Sequence, residues 1–156
     1  MDWSFDICLK NRKILSHFLS AYSLEQLNTV PVGFKNSIYW NIAHVVVTQQ
    51  LLVYRLSDLP MGVSDQFADA FRKGTKTEFD ASRADIESLN TSLFSTLEQT
   101  KLDYNNGLFK TYTPYTVSTK STLTNVEQAI EFNNFHEGIH LGYILAMKNI
   151  LNNQTN

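Results

Sequence analysis

The chain has 156 residues, 43% of them hydrophobic, and a formal net charge of −2. That length and apolar content suffice for one globular core and are short for two domains. Charges of both signs are interspersed with no basic stripe, which argues against a nucleic-acid surface, and no apolar run approaches the roughly 18 residues of a membrane span.

The N-terminus, Met-Asp-Trp-Ser-Phe-Asp, has acids where a secretory leader needs positive charge, and the single Cys8 cannot close an internal disulfide. A soluble protein of the reducing cytoplasm is expected, with Cys8 a buried thiol rather than a nucleophile.

The first helix is predicted over about 4–20, with Ile7, Ile14, Leu15, Phe18, Leu19 and Tyr22 as its apolar stripe. Ser23-Leu-Glu-Gln reads as the cap of a short helical turn that ends before Pro31. Pro31 and Gly33 then break the chain. A second helix is predicted over about 36–57, with Trp40, His44, Val47, Leu51 and Tyr54 facing inward.

Residues 58–80, with Pro60, Gly62 and Gly74, form a long crossover carrying at most a turn of helix near 65–71. Ser82, with Asp85 three residues on, caps a third long helix through Ile86, Leu89, Leu93 and Leu97 that fades near 103–104. The hydroxyl-rich stretch 111–122, interrupted by Pro114, is a loop or a short strand pair. The last helix opens on Thr124-Asn-Val-Glu127, read as a capping box, and runs to about Leu151. Its seam is Val126, Ala129, Asn133, His136, His140, Tyr143, Met147 and Ile150. Three or four long amphipathic helices joined by one short and two long connections make an all-α four-helix bundle the natural solution, a single domain over 1–152.

Three of the four histidines fall on these inward faces. His136 and His140 are one helical turn apart, and His44 comes from another helix, so the three could grip one metal ion. The bland alternative makes each a core histidine hydrogen-bonded to a neighbour such as Asn41 or Asn133, which could equally orient the imidazoles of a metal site. Trp40, one turn before His44, is core packing or a wall of that site. Gly138 and Gly142 suggest tight packing of a neighbouring helix. His17, flanked by Ser16 and Ser20, takes a boundary or surface position with a structural role. His-Glu-Gly-Ile-His also matches the zinc-peptidase pattern in which the Glu is general base. Yet residues 141–156 contain no His, Asp, Glu or Cys to complete such a site, and no sheet edge is predicted to align a peptide.

Asn-Ser-Ile-Tyr-Trp-Asn-Ile-Ala-His-Val and Phe-His-Glu-Gly-Ile-His-Leu-Gly-Tyr-Ile-Leu-Ala together resemble the DinB-like superfamily, which includes the YfiT-like proteins. The resemblance spans nearly the whole chain. It implies a four-helix bundle, often dimeric, whose three histidines, here His44, His136 and His140, bind a divalent transition metal, zinc or nickel above all. It also implies enzymes that use a low-molecular-weight thiol for S-transfer or isomerisation, with a small-molecule substrate. Many members carry Gly-Gln shortly after the last histidine, whereas Gly142 is followed here by Tyr143.

Three histidines leave a metal position open, as catalytic sites do, with Glu137 or Tyr143 as candidates to handle a proton. The competing expectations are a non-catalytic bundle that binds a metal or small ligand, and, less in keeping with the sequence, a peptidase-like hydrolase. The loops 58–80 and 104–123 are expected to rim the pocket.

Overall fold

Side-chain caps set where most of the helices begin. The computed structural model describes the backbone of residues 1–154, and side chains as far as Leu151. Helix α1 (Asp2–Ala21) has no side-chain cap. Ser23 caps α2 (Leu24–Asn28) in a capping box with Gln26. Ser37 accepts from the Trp40 N–H to start α3 (Ile38–Val53), and Ser64 does the same from Phe67 for α4 (Asp65–Phe71). The predicted Ser82–Asp85 capping box opens α5 (Arg83–Asn105). Each such cap satisfies an amide that the first helical turn leaves without a partner.

Helix α6 (Val126–Gln154) starts differently from the expected Thr124–Glu127 box. The Asn125 side chain accepts from the Gln128 N–H at 2.9 Å, while the Gln128 side-chain Oε1 accepts from the Thr124 N–H at 2.8 Å. Glu127, freed from capping, accepts from the Tyr104 hydroxyl at 3.1 Å. Asn is as good an N-cap as Thr, and it shifts the motif by one residue.

The four long helices form a ring in the order α1–α6–α3–α5, each packed on its two neighbours. Helix α3 passes into a 3₁₀ turn, Arg55–Ser57, and stops at Asp58, whose φ of 57° turns the chain into the long crossover. Helix α4 lies within that crossover and packs on α3. The hydroxyl-rich loop contains a minimal antiparallel pair, β1 (Tyr115–Thr116) and β2 (Thr122–Leu123), with Tyr115 opposite Leu123. Among the described residues no helix is long and apolar enough to cross a membrane.

Helix α3 is buried almost all round, more completely than a single inward stripe requires. On α1 the buried positions are Phe5, Cys8, Arg12, Leu15, Phe18 and Leu19, while Ile14 is exposed. The α6 seam is also rotated from the expected one, running through Ala129, Asn133, Glu137, Ile144, Met147 and Leu151 and leaving Tyr143 outside.

The reason for both shifts is a polar layer across the middle of the bundle. Arg12 and Glu137 are each 0% exposed and form an ion pair at 3.0 Å. Arg12 also donates to the Leu93 carbonyl at 2.7 Å and to Thr96 Oγ1 at 2.8 Å. Asn133 donates to Glu137 at 2.8 Å, and Gln49 donates to Thr100 Oγ1 at 2.6 Å. All four long helices contribute. Above and below lie two apolar clusters, one built around Leu15, Ile42, Leu93 and Ile144, the other around Phe5, Val53, Leu97 and Ala129.

Candidate metal centre

Helices α3 and α6 are ring neighbours, and their contact brings together His44, His136 and His140. One ligand-capable nitrogen from each imidazole lies within 4.8 Å of the others. The ring centroids are 4.5 Å apart for His136 and His140, 4.8 Å for His44 and His140, and 5.1 Å for His44 and His136.

Two of the rings are fixed by bonds on their Nδ1 side. His44 Nδ1 lies 2.6 Å from the Phe71 carbonyl at the end of α4. A carbonyl can only accept, so His44 carries its proton there and keeps a lone pair on Nε2. The Thr48 hydroxyl is 3.3 Å from that Nε2. His140 Nδ1 lies 2.8 Å from Asn41 Oδ1. The Asn41 amide donates its NH₂ to the Ser37 carbonyl at 2.8 Å, which assigns Oδ1 as the atom facing His140. His140 therefore also presents Nε2 as the free lone pair. Asn41 thus orients an imidazole, though that of His140 on the facing helix, not its own neighbour His44. Asn133 orients none, since it bonds to Glu137.

His136 Nδ1 is buried with no hydrogen-bond partner among the described residues. A buried polar atom left unpaired costs about 1–3 kcal/mol, and a metal ion is one group that would compensate it. The donor set fits a divalent transition metal: three neutral imidazoles, two held in a defined tautomer by partners of the kind found around metal-binding histidines.

The electrostatics agree. Burial, then the neighbouring His140 and His44, push His136 down to about 2, and burial with His44 pushes His140 down to about 3. Burial also lowers His44, against the opposing pull of the Phe71 carbonyl. All three rings are neutral near pH 7, so a metal need not displace protons. Trp40 stacks on His44, with centroids 4.7 Å apart and planes at 14°, and its Nε1 donates to Thr75 at 3.2 Å. It is both a core residue and a wall of the site.

On one side the histidines face a cavity of about 280 Å³, reached by His44 and His136. Its walls include Leu51, Leu52, Val117 and Phe132, and both long loops contribute as expected, through Lys73 and through Tyr115, Val117 and Ser118. The two proton-handling candidates sit elsewhere. Glu137 is fully enclosed in the polar layer, its Oε1 taken by Arg12, Asn133 and Cys8. That position takes away the general-base geometry of a zinc peptidase, because Arg12 and Asn133 hold the Glu137 carboxylate in the middle of the bundle, away from the cavity that His44 and His136 reach. Tyr143 is 54% exposed, with its ring 6.0 Å from Phe34 and 6.4 Å from His140.

Gly138 and Gly142 are exposed, and a Cβ added at either would meet nothing within 4 Å. The tight packing expected of them is absent among the described residues. His17 is exposed, as expected. Sequence reasoning missed Arg12, Thr48 and the Phe71 carbonyl. Only Arg12 left a signal, because Phe5, Cys8, Arg12 and Leu15 continue one helical stripe.

A comparison with curated proteins finds no match. The family model of the DinB superfamily matches residues 9–144, which takes in all three histidines and most of each long helix. With the helical bundle and the clustered imidazoles, this match shows that the chain belongs to the DinB superfamily.

Proposed function

We propose that the protein is a metal-dependent enzyme in which His44, His136 and His140 hold one divalent transition metal, zinc or nickel. The observation that carries this is the convergence of three neutral imidazoles, His44 buried and His136 and His140 half-buried, at the edge of a cavity. Three protein ligands leave at least one coordination position, the usual difference between catalytic and structural sites. When bound, such a metal acts as a Lewis acid and stabilises a thiolate or hydroxide at neutral pH.

The chain's own residues then divide the remaining work. Phe71 and Asn41 hold two of the rings in their ligand tautomers, Trp40 fixes the plane of His44, and the leucines and Phe132 keep water from the cavity side. Glu137 anchors α6 between the two histidines it separates and has no route to a reacting group. Tyr143, on the outer face of α6 beside His140, lies away from the cavity lining and is likewise not placed to handle a proton there.

The reaction class is thiol-dependent group transfer, which family membership favours. The buried Cys8 is an unsuitable nucleophile: burial raises its pKa far above the usual thiol range, with Glu137 adding to the effect and Arg12 opposing it. The thiol must therefore come from a small molecule. In keeping with the dimers implied by the family, a second copy would cover the apolar outer face of α6 at Phe135, Ile139 and Tyr143.

The test is a thiol-consumption screen with zinc- or nickel-reconstituted protein, a low-molecular-weight thiol and a panel of electrophiles. Turnover that falls to background in His44→Ala is the expected result. Thiol loss at the same rate with and without protein across the panel contradicts the transfer reaction.

A further inference from the structure

The cavity beside His44 and His136 has a charge bias that the imidazoles do not explain. Its inner walls are apolar, with Leu51, Leu52, Leu56 and Phe132 contributing. The charged residues lining it are Arg55 and Lys73, both exposed and therefore at its mouth, and no acid lines it. Arg55 pairs with Asp65 at 2.5 Å, whereas Lys73 has no ion-pair partner among the described residues. The mouth therefore carries an uncompensated positive charge beside the hydroxyls of Tyr115 and Ser118.

We propose that this cavity takes an amphipathic small-molecule anion. The apolar body lies between the leucines and Phe132, the carboxylate- or phosphate-type head meets Lys73 and Arg55, and the far end of the body reaches His44 and His136. The inference rests on the metal-site reading only for what happens at that far end. An amine would meet like charge at the mouth, and a purely apolar ligand would leave Lys73 unused, so both should bind less well.

Calorimetric titration of zinc-reconstituted protein with octanoate, octan-1-ol and octylamine tests this, with zinc content measured on the same sample. Octanoate is expected to saturate, with octanol weaker and octylamine weakest. Lys73→Glu, at an exposed position, should weaken octanoate by about five- to tenfold and leave octanol unchanged. No saturable octanoate binding, or octanoate binding indifferent to Lys73→Glu, overturns the proposal. A sample that holds zinc but fails these tests removes the anion and leaves the metal site standing. A sample that holds no zinc but binds octanoate through Lys73 does the reverse.

Discussion

His136 and His140 are poor proton acceptors in the fold and ordinary ones in the unfolded chain. Their folded-state values are pushed down to about 2 and about 3, against an ordinary histidine value of 6.5. Between those limits the unfolded state binds more protons, so folding stability must fall as pH drops below about 6.5 and recover as it rises. Metal-free protein is therefore expected to melt at a lower temperature at pH 5.5 than at pH 7.5, above the range where most carboxylates titrate. His136→Gln, which removes one such group, should flatten part of that slope. A melting temperature constant over this interval would contradict the neutral, half-buried state of these rings. The i,i+4 pair itself was legible in the sequence, because helix geometry alone places both residues on one face. The tautomers were not legible, since their fixing partners, Asn41 on α3 and the Phe71 carbonyl on α4, come from elements whose placement no local pattern specifies.

At the scale of the elements, the buried layer sets the rotation of α1 and α6. A charged side chain inside a helix pattern reads as surface, which is why the sequence phased α1 through Ile14 and α6 through Tyr143. The structure instead aligns Arg12 with Glu137, and that pairing turns the neighbouring His136 and His140 toward α3. Removing one member of a buried pair leaves the other charge uncompensated, at a cost of about 3–5 kcal/mol. Arg12→Met should therefore destabilise the protein by that amount in urea denaturation. The double variant Arg12→Met, Glu137→Leu should regain most of the loss, because an apolar pair of similar volume avoids the buried charge. A single variant as stable as wild type would mean that the layer contributes nothing to holding α6.

At the scale of the molecule, the ring order α1–α6–α3–α5 explains how a site can form from helices distant in sequence. The long helices were legible from periodicity and caps, as was a possible helical turn at 65–71, while the strand pair was one of two readings of the hydroxyl-rich stretch. Which helices become neighbours was not legible, because that depends on how the long connections cross the bundle. That both long loops rim the cavity was expected, whereas its helical walls were not legible for the same reason, as α3 and α6 each supply part of the lining. One consequence concerns assembly. Phe135, Ile139 and Tyr143 expose an apolar face on α6, open at Gly138 and Gly142. Sedimentation velocity is expected to show a dimer that Ile139→Lys shifts toward monomer, whereas a monomeric wild type would remove the proposed second copy.

The most direct measurement of the central claim is metal content by elemental mass spectrometry, on tag-free wild type and His136→Ala purified and reconstituted alike. The three-histidine site predicts about one equivalent of zinc or nickel in wild type, lost in the variant while the bundle stays folded by circular dichroism. Equal and negligible metal in both, after exposure to zinc and to nickel, would contradict a metal centre and leave His44, His136 and His140 as packing residues between α3 and α6.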